Sequence, residues 1–446
     1  MERERQRLNT KVGIRFSNIS GSHSFFESIL FLLFLNIECN TSNTMTDQKI
    51  LSDFKKSLRS SAWLAHPRAA LTVRMWALAA VPVLMLAFSV YLDVGLTNGI
   101  GKVIGEDFIN YWMGAKFALS GQASDVYDLK VFLQALESFA GTKLEPYNYS
   151  YPPNWLLLSV PLAFLPFIPA LIFWTVAGWL AVFFMIKSLL GSWRSALWAV
   201  AASPAVFVNA LYGQNGALSA VFLGGGLLVL ESSPILAGVL LGALSFKPQL
   251  GLLIPVALIA GGHWRAFGAA AVTVVALIVV SSAWFGGHIW FDFVERMSLI
   301  NQVVLAQDDV NWHRMPTPYL ALRVVGVDSH FAGLFQVIVT MVAALAVFIS
   351  WRSSARASVK ATALVLATFL ATPYFLDYDF VVVLVVFAWR LKDGEWRPWE
   401  GLALVLVLLL PFMVPPAIKL LSLPIGPLVL GWALWCTTRT PLNKKS

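Results

Sequence analysis

GEDFINYW at residues 105–112 and YPPNWLLL at residues 151–158 frame the stretch on which the reading of this chain turns. Residues 97–153, which contain both, carry Glu106, Asp107, Asp125, Asp128, Glu137 and Glu145 against only four lysines. The flanks are different. An apolar run at residues 75–96 ends just before this stretch, and apolar sequence resumes at Pro152-Pro153. A polar segment between two apolar ones is the pattern of a loop outside a membrane. Glu106 and Asp107 then stand at the mouth of a membrane protein, where a carboxylate can act as a general base. The plainer alternative is a pair of solvated loop charges.

Composition fixes the class. Apolar residues make up 58% of 446 positions and charged residues 13%, with a mean hydropathy of +0.71. A soluble domain carries about 25% charged residues, so the chain reads as an all-α polytopic membrane protein. Eighteen Trp and 31 Phe suit interfacial belts and helix packing. Cys39 and Cys436, at opposite ends of the chain, suggest neither a disulfide framework nor a metal pair.

The net charge of +8 marks orientation rather than nucleic-acid binding. Lys49, Lys55, Lys56, Arg59, Arg68 and Arg74 precede the first apolar run. Later cations cluster at Lys187/Arg194, Arg265, Arg352/Arg356/Lys360, Arg390/Lys392/Arg397 and Arg439/Lys444/Lys445. Each group sits at an end of an apolar run, as cytoplasmic loops do. The alternate loops, residues 97–153 and 286–315 and the turn PYFLDYDF at residues 373–380, are acidic. Both termini are therefore expected in the cytoplasm and the loops 97–153 and 286–315 outside.

Threading the chain through these markers predicts ten to twelve membrane segments in one domain, residues 75–436, with a cytoplasmic lead at 45–74 and tail at 437–446. Pro161, Pro166 and Pro169 divide the apolar sequence after residue 154, so residues 155–165 are expected as a half-helix before the span proper. Further spans are read at 196–211, 217–230, 266–285, 331–350, 361–372 with 380–389, 401–413 and 420–435. Residues 1–44 read as a dispensable extension. Their apolar run at 24–37 is too short to span comfortably, and an ordinary cytoplasmic start follows at Met45.

One cation falls at an unusual place. Lys247-Pro248-Gln249 separates two apolar runs, 234–246 and 250–261, each too short to cross a hydrocarbon core about 30 Å thick. Either Lys247 lies at depth, lining a cavity beside an anion, or it reaches to the interface. Arg314 and Arg323 belong to the acidic, outward side, where headgroup contact is the plain explanation.

EDFINYWMGAKFALSGQASDVYD at 106–128 and YPPNWLLLSVPLAFLPFIPALIFW at 151–174 resemble glycosyltransferase family 87 of the GT-C superfamily. So do LYGQNGALSAVFLGG at 211–225, LSFKPQLGLLIP at 244–255 and MPTPYLALRVVG at 315–326. The likeness runs from about Val94 to Phe380 and rests on these motifs in order. It implies a GT-C-like helical bundle with a long first outer loop. The implied activity is transfer of a mannose-like hexose from a polyprenyl-phosphate sugar to a lipid or glycan acceptor, at the outer face of a bacterial inner membrane. An acidic residue of the first outer loop is then the catalytic base. Asp107 matches that position, with Glu106 as its neighbour.

The residues suit such chemistry. A carboxylate takes the proton of the attacking hydroxyl, and cations stabilise the departing lipid phosphate. Lys247, Arg314 and Arg323 are the candidate phosphate ligands. Tyr111, Trp112 and Tyr151 are candidates for sugar stacking, and Gln214, Asn215 and Gln249 for hydrogen bonds to sugar hydroxyls. Belt aromatics and helix caps are the plain readings of the same residues. On a helix starting near Asp107, residue 111 falls on the same face. No His/Cys cluster is present, but Asp107, Asp377 and Asp379 leave a divalent cation open. A transporter or flippase of a lipid-linked or sugar substrate is the rival function, since broken helices with polar residues at depth also mark transporters. Paired halves with matching breaks, their usual companion, are not seen.

Overall fold

A computed structural model describes residues 47–65, 73, 103–144, 148–306 and 312–439. The expected first span at 75–96 and the extension at 1–44 lie outside the described residues. The chain divides after Phe54. Of the first unit only the start of helix α1 (Asp47–Ser60) is described, and the account below concerns the second unit.

The described residues are helical, with no strand. Four helices are long and apolar enough to cross a membrane: α5 (Phe167–Leu190), α12 (Trp264–Phe285), α15 (Ser329–Arg352) and α18 (Glu400–Leu421). A fifth crossing is made if α6 (Trp193–Ala201) and α7 (Pro204–Leu211), bent by 63°, count as one. Six further apolar stretches have 10–17 residues, too short to bridge about 30 Å at 1.5 Å per residue. Helix length among the described residues thus supports four or five crossings, against the ten to twelve expected. Val272, Val275 and Val279 on α12 and Phe331, Ile338 and Met341 on α15 are exposed. Such continuous apolar faces belong in hydrocarbon.

The segment 97–153 is structured where it is described. It folds into α2 (Phe108–Leu119), a 3-10 turn (Ala123–Tyr127) and α3 (Leu129–Ala140). Asp128 caps α3, accepting from the backbone N–H groups of Lys130 and Val131. Prolines then set the breaks. Pro153 opens α4 (Pro153–Ser159), which tightens into a 3-10 turn (Val160–Phe164), and Pro166 caps α5. That is the half-helix expected from the prolines. Helices α8 (Gly216–Ala220) and α9 (Pro234–Ala243) follow α7. A 3-10 turn (Leu244–Phe246) after α9 ends at Lys247, beyond which come α10 (Pro248–Gly251) and α11 (Ile254–Ala260).

Two departures have physical reasons. Helix α18 runs unbroken through Pro411, Pro415 and Pro416, where the sequence suggested a stop at residue 413. Within a bundle, freed carbonyls can be satisfied by neighbours, so proline need not end a helix. The segment after Gly286 forms an 18-residue helix, α13 (Ile289–Ala306), where only an acidic outer loop was expected.

The axis of the bundle is a hairpin of α16 (Ala357–Ala371) and α17 (Val381–Asp393). Ser358, Val359 and residues 361–371 are all buried, as are Val381 through Ala388. Helices apolar on every side belong at the centre. The turn between them, residues 372–380, holds Asp377, Tyr378 and Asp379 in a 3-10 turn (Asp377–Phe380), all buried.

Candidate functional site

The GQNG turn at residues 213–216 ties three distant segments together. Gly213 has φ +58, and a Cβ there would stand 2.5 Å from the Cβ of Phe108 and 2.7 Å from the Gly105 carbonyl oxygen. At Gly216 a Cβ would stand 2.1 Å from the Tyr378 carbonyl oxygen. Only glycine permits both approaches. The turn is thus wedged between the start of α2 and the 372–380 turn, and its Gln214 side chain reaches α2.

Asp107 is the N-cap of α2 and is half-buried. Its Oδ2 accepts a hydrogen bond from Gln214 Nε2. The Tyr111 hydroxyl donates to Gln214 Oε1 at 2.5 Å and lies 2.9 Å from the Tyr151 hydroxyl. Trp174 fixes the turn from behind, its Nε1 donating to the carbonyls of Gly213 and Gln214 at 3.1 and 3.2 Å. Asp107 and Tyr111 therefore do share one face, one turn apart, bridged by a single glutamine. Burial pushes the hydroxyls of Tyr111 and Tyr151 well above the ordinary tyrosine value, so both stay protonated. In this network the Asp107 carboxylate accepts the hydrogen bond from Gln214.

Two buried cations stand at the 372–380 turn. Lys247 is 2% exposed; its Nζ lies 2.5 Å from Asp379 Oδ1 and 4.8 Å from the centre of the Tyr378 ring. Asp379 Oδ2 accepts from the backbone N–H of Leu376, which fixes the carboxylate. Arg314 forms a two-pronged pair with Asp377, Nε to Oδ2 at 3.0 Å and Nη2 to Oδ1 at 2.8 Å. Its guanidinium lies 3.8 Å over the ring of Tyr212. Burial opposes its charge, yet Asp377 beside it holds the guanidinium pKa above its ordinary value. The 213–216 turn, which holds Asp107 through Gln214, packs on the Tyr378 carbonyl, and Tyr378 sits between the two paired acids, so the carboxylate and the two ion pairs gather around adjoining turns.

Aromatic rings stand beside them. The Trp155 indole is fully buried, 5.0 Å from the Tyr111 ring, 5.3 Å from Tyr151 and stacked on Phe246 at 4.7 Å.

The remaining candidates have their own surroundings. Trp112 turns to the neighbouring face of α2, where its Nε1 donates to the Leu165 carbonyl and its ring packs on Phe139 and Phe167. Glu106 is buried with φ +32, a conformation unusual outside glycine. Arg323 binds the Val327 carbonyl through Nη1 and lies 5.3 Å from the Trp312 ring. Asn215 is wholly buried, and neither amide atom has a hydrogen-bond partner among the described residues. Gln249 is half-buried beside Lys247. Asp377 and Asp379 face the two cations, and among the described residues no group of three or more His, Cys, Asp or Glu is arranged to hold a metal ion.

Sequence reasoning missed the pairing role of Asp377 and Asp379 and the platforms Tyr212, Tyr378, Trp155 and Trp174. A signal for the first existed. PYFLDYDF places two acids without a cation inside an apolar hairpin, while two cations lacked anions elsewhere.

A model described as glycosyltransferase family 87 matches residues 149–373 of this chain. No curated protein and no solved structure matches it. The matched stretch holds Tyr151, Gln214, Lys247 and Arg314; Asp107 precedes it, and Asp377 and Asp379 follow.

Proposed function

The chain belongs to glycosyltransferase family 87, and from that membership we propose a GT-C-type hexosyltransferase of a bacterial inner membrane. It moves a mannose-like hexose from a polyprenyl-phosphate sugar to a lipid or glycan acceptor at the outer face. Asp107 takes the proton of the acceptor hydroxyl. The acceptor oxygen bonds to the anomeric carbon as the bond from that carbon to the phosphate oxygen breaks, and polyprenyl phosphate leaves with the electron pair. A membrane-embedded site follows from the donor, whose lipid tail stays in the bilayer.

One observation carries this reading. A half-buried carboxylate held by Gln214 and two buried cations paired with Asp379 and Asp377 gather around the adjoining 213–216 and 372–380 turns, beside buried aromatic rings. Arg314 spends Nε and Nη2 on Asp377, while its Nη1 makes no hydrogen bond among the described residues. Lys247 Nζ spends one of three donor positions on Asp379. Both cations thus keep donors for a phosphate while their charges are balanced in its absence. Tyr111 and Tyr151 provide ring faces and hydroxyls for a pyranose, and Asn215 an unused amide. Family membership does not favour the transporter reading.

Purified protein incubated with radiolabelled polyprenyl-phosphate mannose and a membrane glycolipid extract provides the test. Label should pass covalently to an acceptor, with unlabelled polyprenyl phosphate released, and nucleotide-activated mannose should not substitute. Movement of the intact labelled lipid between vesicle leaflets, with no new glycosidic bond, would replace the proposal with a flippase.

A further inference from the structure

The ends of the long helices remote from Asp107 hold a second built feature. Helix α15 begins just after the segment carrying Arg314 and runs 24 residues to Arg352, roughly 36 Å at 1.5 Å per residue. At that far end a cavity of about 390 Å³ opens between Gly261, Gly262, Trp264, Trp351, Arg352 and Lys360. Its floor is rigid. Trp351 is 3% exposed, and its Nε1 donates to the Lys360 carbonyl at 3.0 Å. Gly262, at φ +72, lets the chain reverse from α11 into α12, and a Cβ on Gly261 would press within 3.0 Å of the Trp351 ring.

The chemistry of the walls is two-sided. Arg352 and Lys360 form no ion pair among the described residues, whereas Arg356 and Arg390 at the same end are paired with Glu395 and Glu400. The outer rim is apolar, with Trp264 62% and Ile259 44% exposed. The cavity also sits at the first residue of one candidate span, α12, and the last of another, α15, the level where hydrocarbon gives way to headgroups. A free phosphate needs the two cations but not the apolar rim. A zwitterionic lipid fits the rim but brings no net charge to the cations. An amphiphile with an anionic head fits both.

We propose that this cavity is a headgroup site for an anionic phospholipid, with its phosphate between Arg352 and Lys360 and its acyl chains along Trp264 and Ile259. The site is independent of the sugar chemistry at the other end of the bundle.

Thermal unfolding of the full chain in a mild detergent tests it, with titration of dioctanoyl phosphatidylglycerol, dioctanoyl phosphatidylcholine or inorganic phosphate. Phosphatidylglycerol should raise the midpoint in a saturable way, and the other two should not. The double variant Arg352→Gln/Lys360→Gln should need roughly 30-fold more phosphatidylglycerol for the same shift, about fivefold per cation. The charge-keeping variant Arg352→Lys/Lys360→Arg should respond like wild type, as should the control Lys187→Gln/Arg194→Gln. An equal shift with phosphatidylcholine or with inorganic phosphate, or an unchanged response in the Gln double variant, would overturn the proposal.

Discussion

A lysine as buried as Lys247 survives beside an anion, and Asp379 supplies one at 2.5 Å. This pairing changes what a substitution there means. Lys247→Met alone removes a charge a donor phosphate would use, but it also strands a carboxylate in a site 2% exposed, a loss of about 3–5 kcal/mol for broken buried pairs. The variant Lys247→Met/Asp379→Asn separates the effects. It is expected to unfold close to the wild-type temperature while binding polyprenyl-phosphate sugar at least tenfold more weakly, as read by calorimetric titration. Wild-type affinity in that variant would remove Lys247 from the phosphate site. Gln214 is a positioning residue of a different kind, since one amide orients both Asp107 and Tyr111. Gln214→Leu should lower kcat about 10²-fold, as small misplacements of a reacting group do, with donor affinity changed far less. A fall in affinity alone would make Gln214 a sugar ligand only.

At the level of elements, close backbone approach and buried charge lock the bundle at its two ends. Gly216→Ala forces a methyl to within 2.1 Å of the Tyr378 carbonyl, so α8 and the 372–380 turn must part. Overpacking of this sort costs about 1–3 kcal/mol, and the thermal midpoint and transferase rate should fall together. At the other end Arg390 holds Glu400 through Nε and Nη2, both at 3.0 Å, with the two side chains essentially unexposed. Arg390→Met leaves Glu400 unpaired and should lower stability by about 3–5 kcal/mol without selective loss of donor binding, checked by unfolding in detergent. The breaks that shape this architecture were legible in the sequence, because proline dictates them locally: Pro153 and Pro166 around the half-helix, and Pro248 after Lys247. The GQNG turn and the acidic turn at 373–380 were equally visible as motifs. Their partners were not. Asp379 lies 132 positions from Lys247, and Asp377 lies 63 from Arg314, so no periodicity joins them. Neighbour packing likewise carries α18 through three prolines that, read alone, suggest a stop.

For the whole molecule, charge asymmetry predicts that the 97–153 loop faces outward and the carboxyl terminus inward. In intact cells a cysteine introduced at Gly121, an exposed position at a turn with φ +78, should react with an impermeant maleimide. One introduced at Asn443 should react only after permeabilisation, and the reverse pattern would put the site on the wrong face for the proposed donor. The central claim joins this orientation to the chemistry: Asp107 accepts the acceptor's proton while the two buried cations hold the leaving phosphate. The most direct measurement is single-turnover transfer from radiolabelled polyprenyl-phosphate mannose by wild type and by Asp107→Asn, with donor binding measured on the same preparations. Asn keeps the shape of the side chain but cannot take a proton, so the rate should fall by roughly 10²–10⁴ with the donor dissociation constant unchanged. Transfer by Asp107→Asn at the wild-type rate would contradict the account and return Asp107 to the role of an ordinary loop carboxylate.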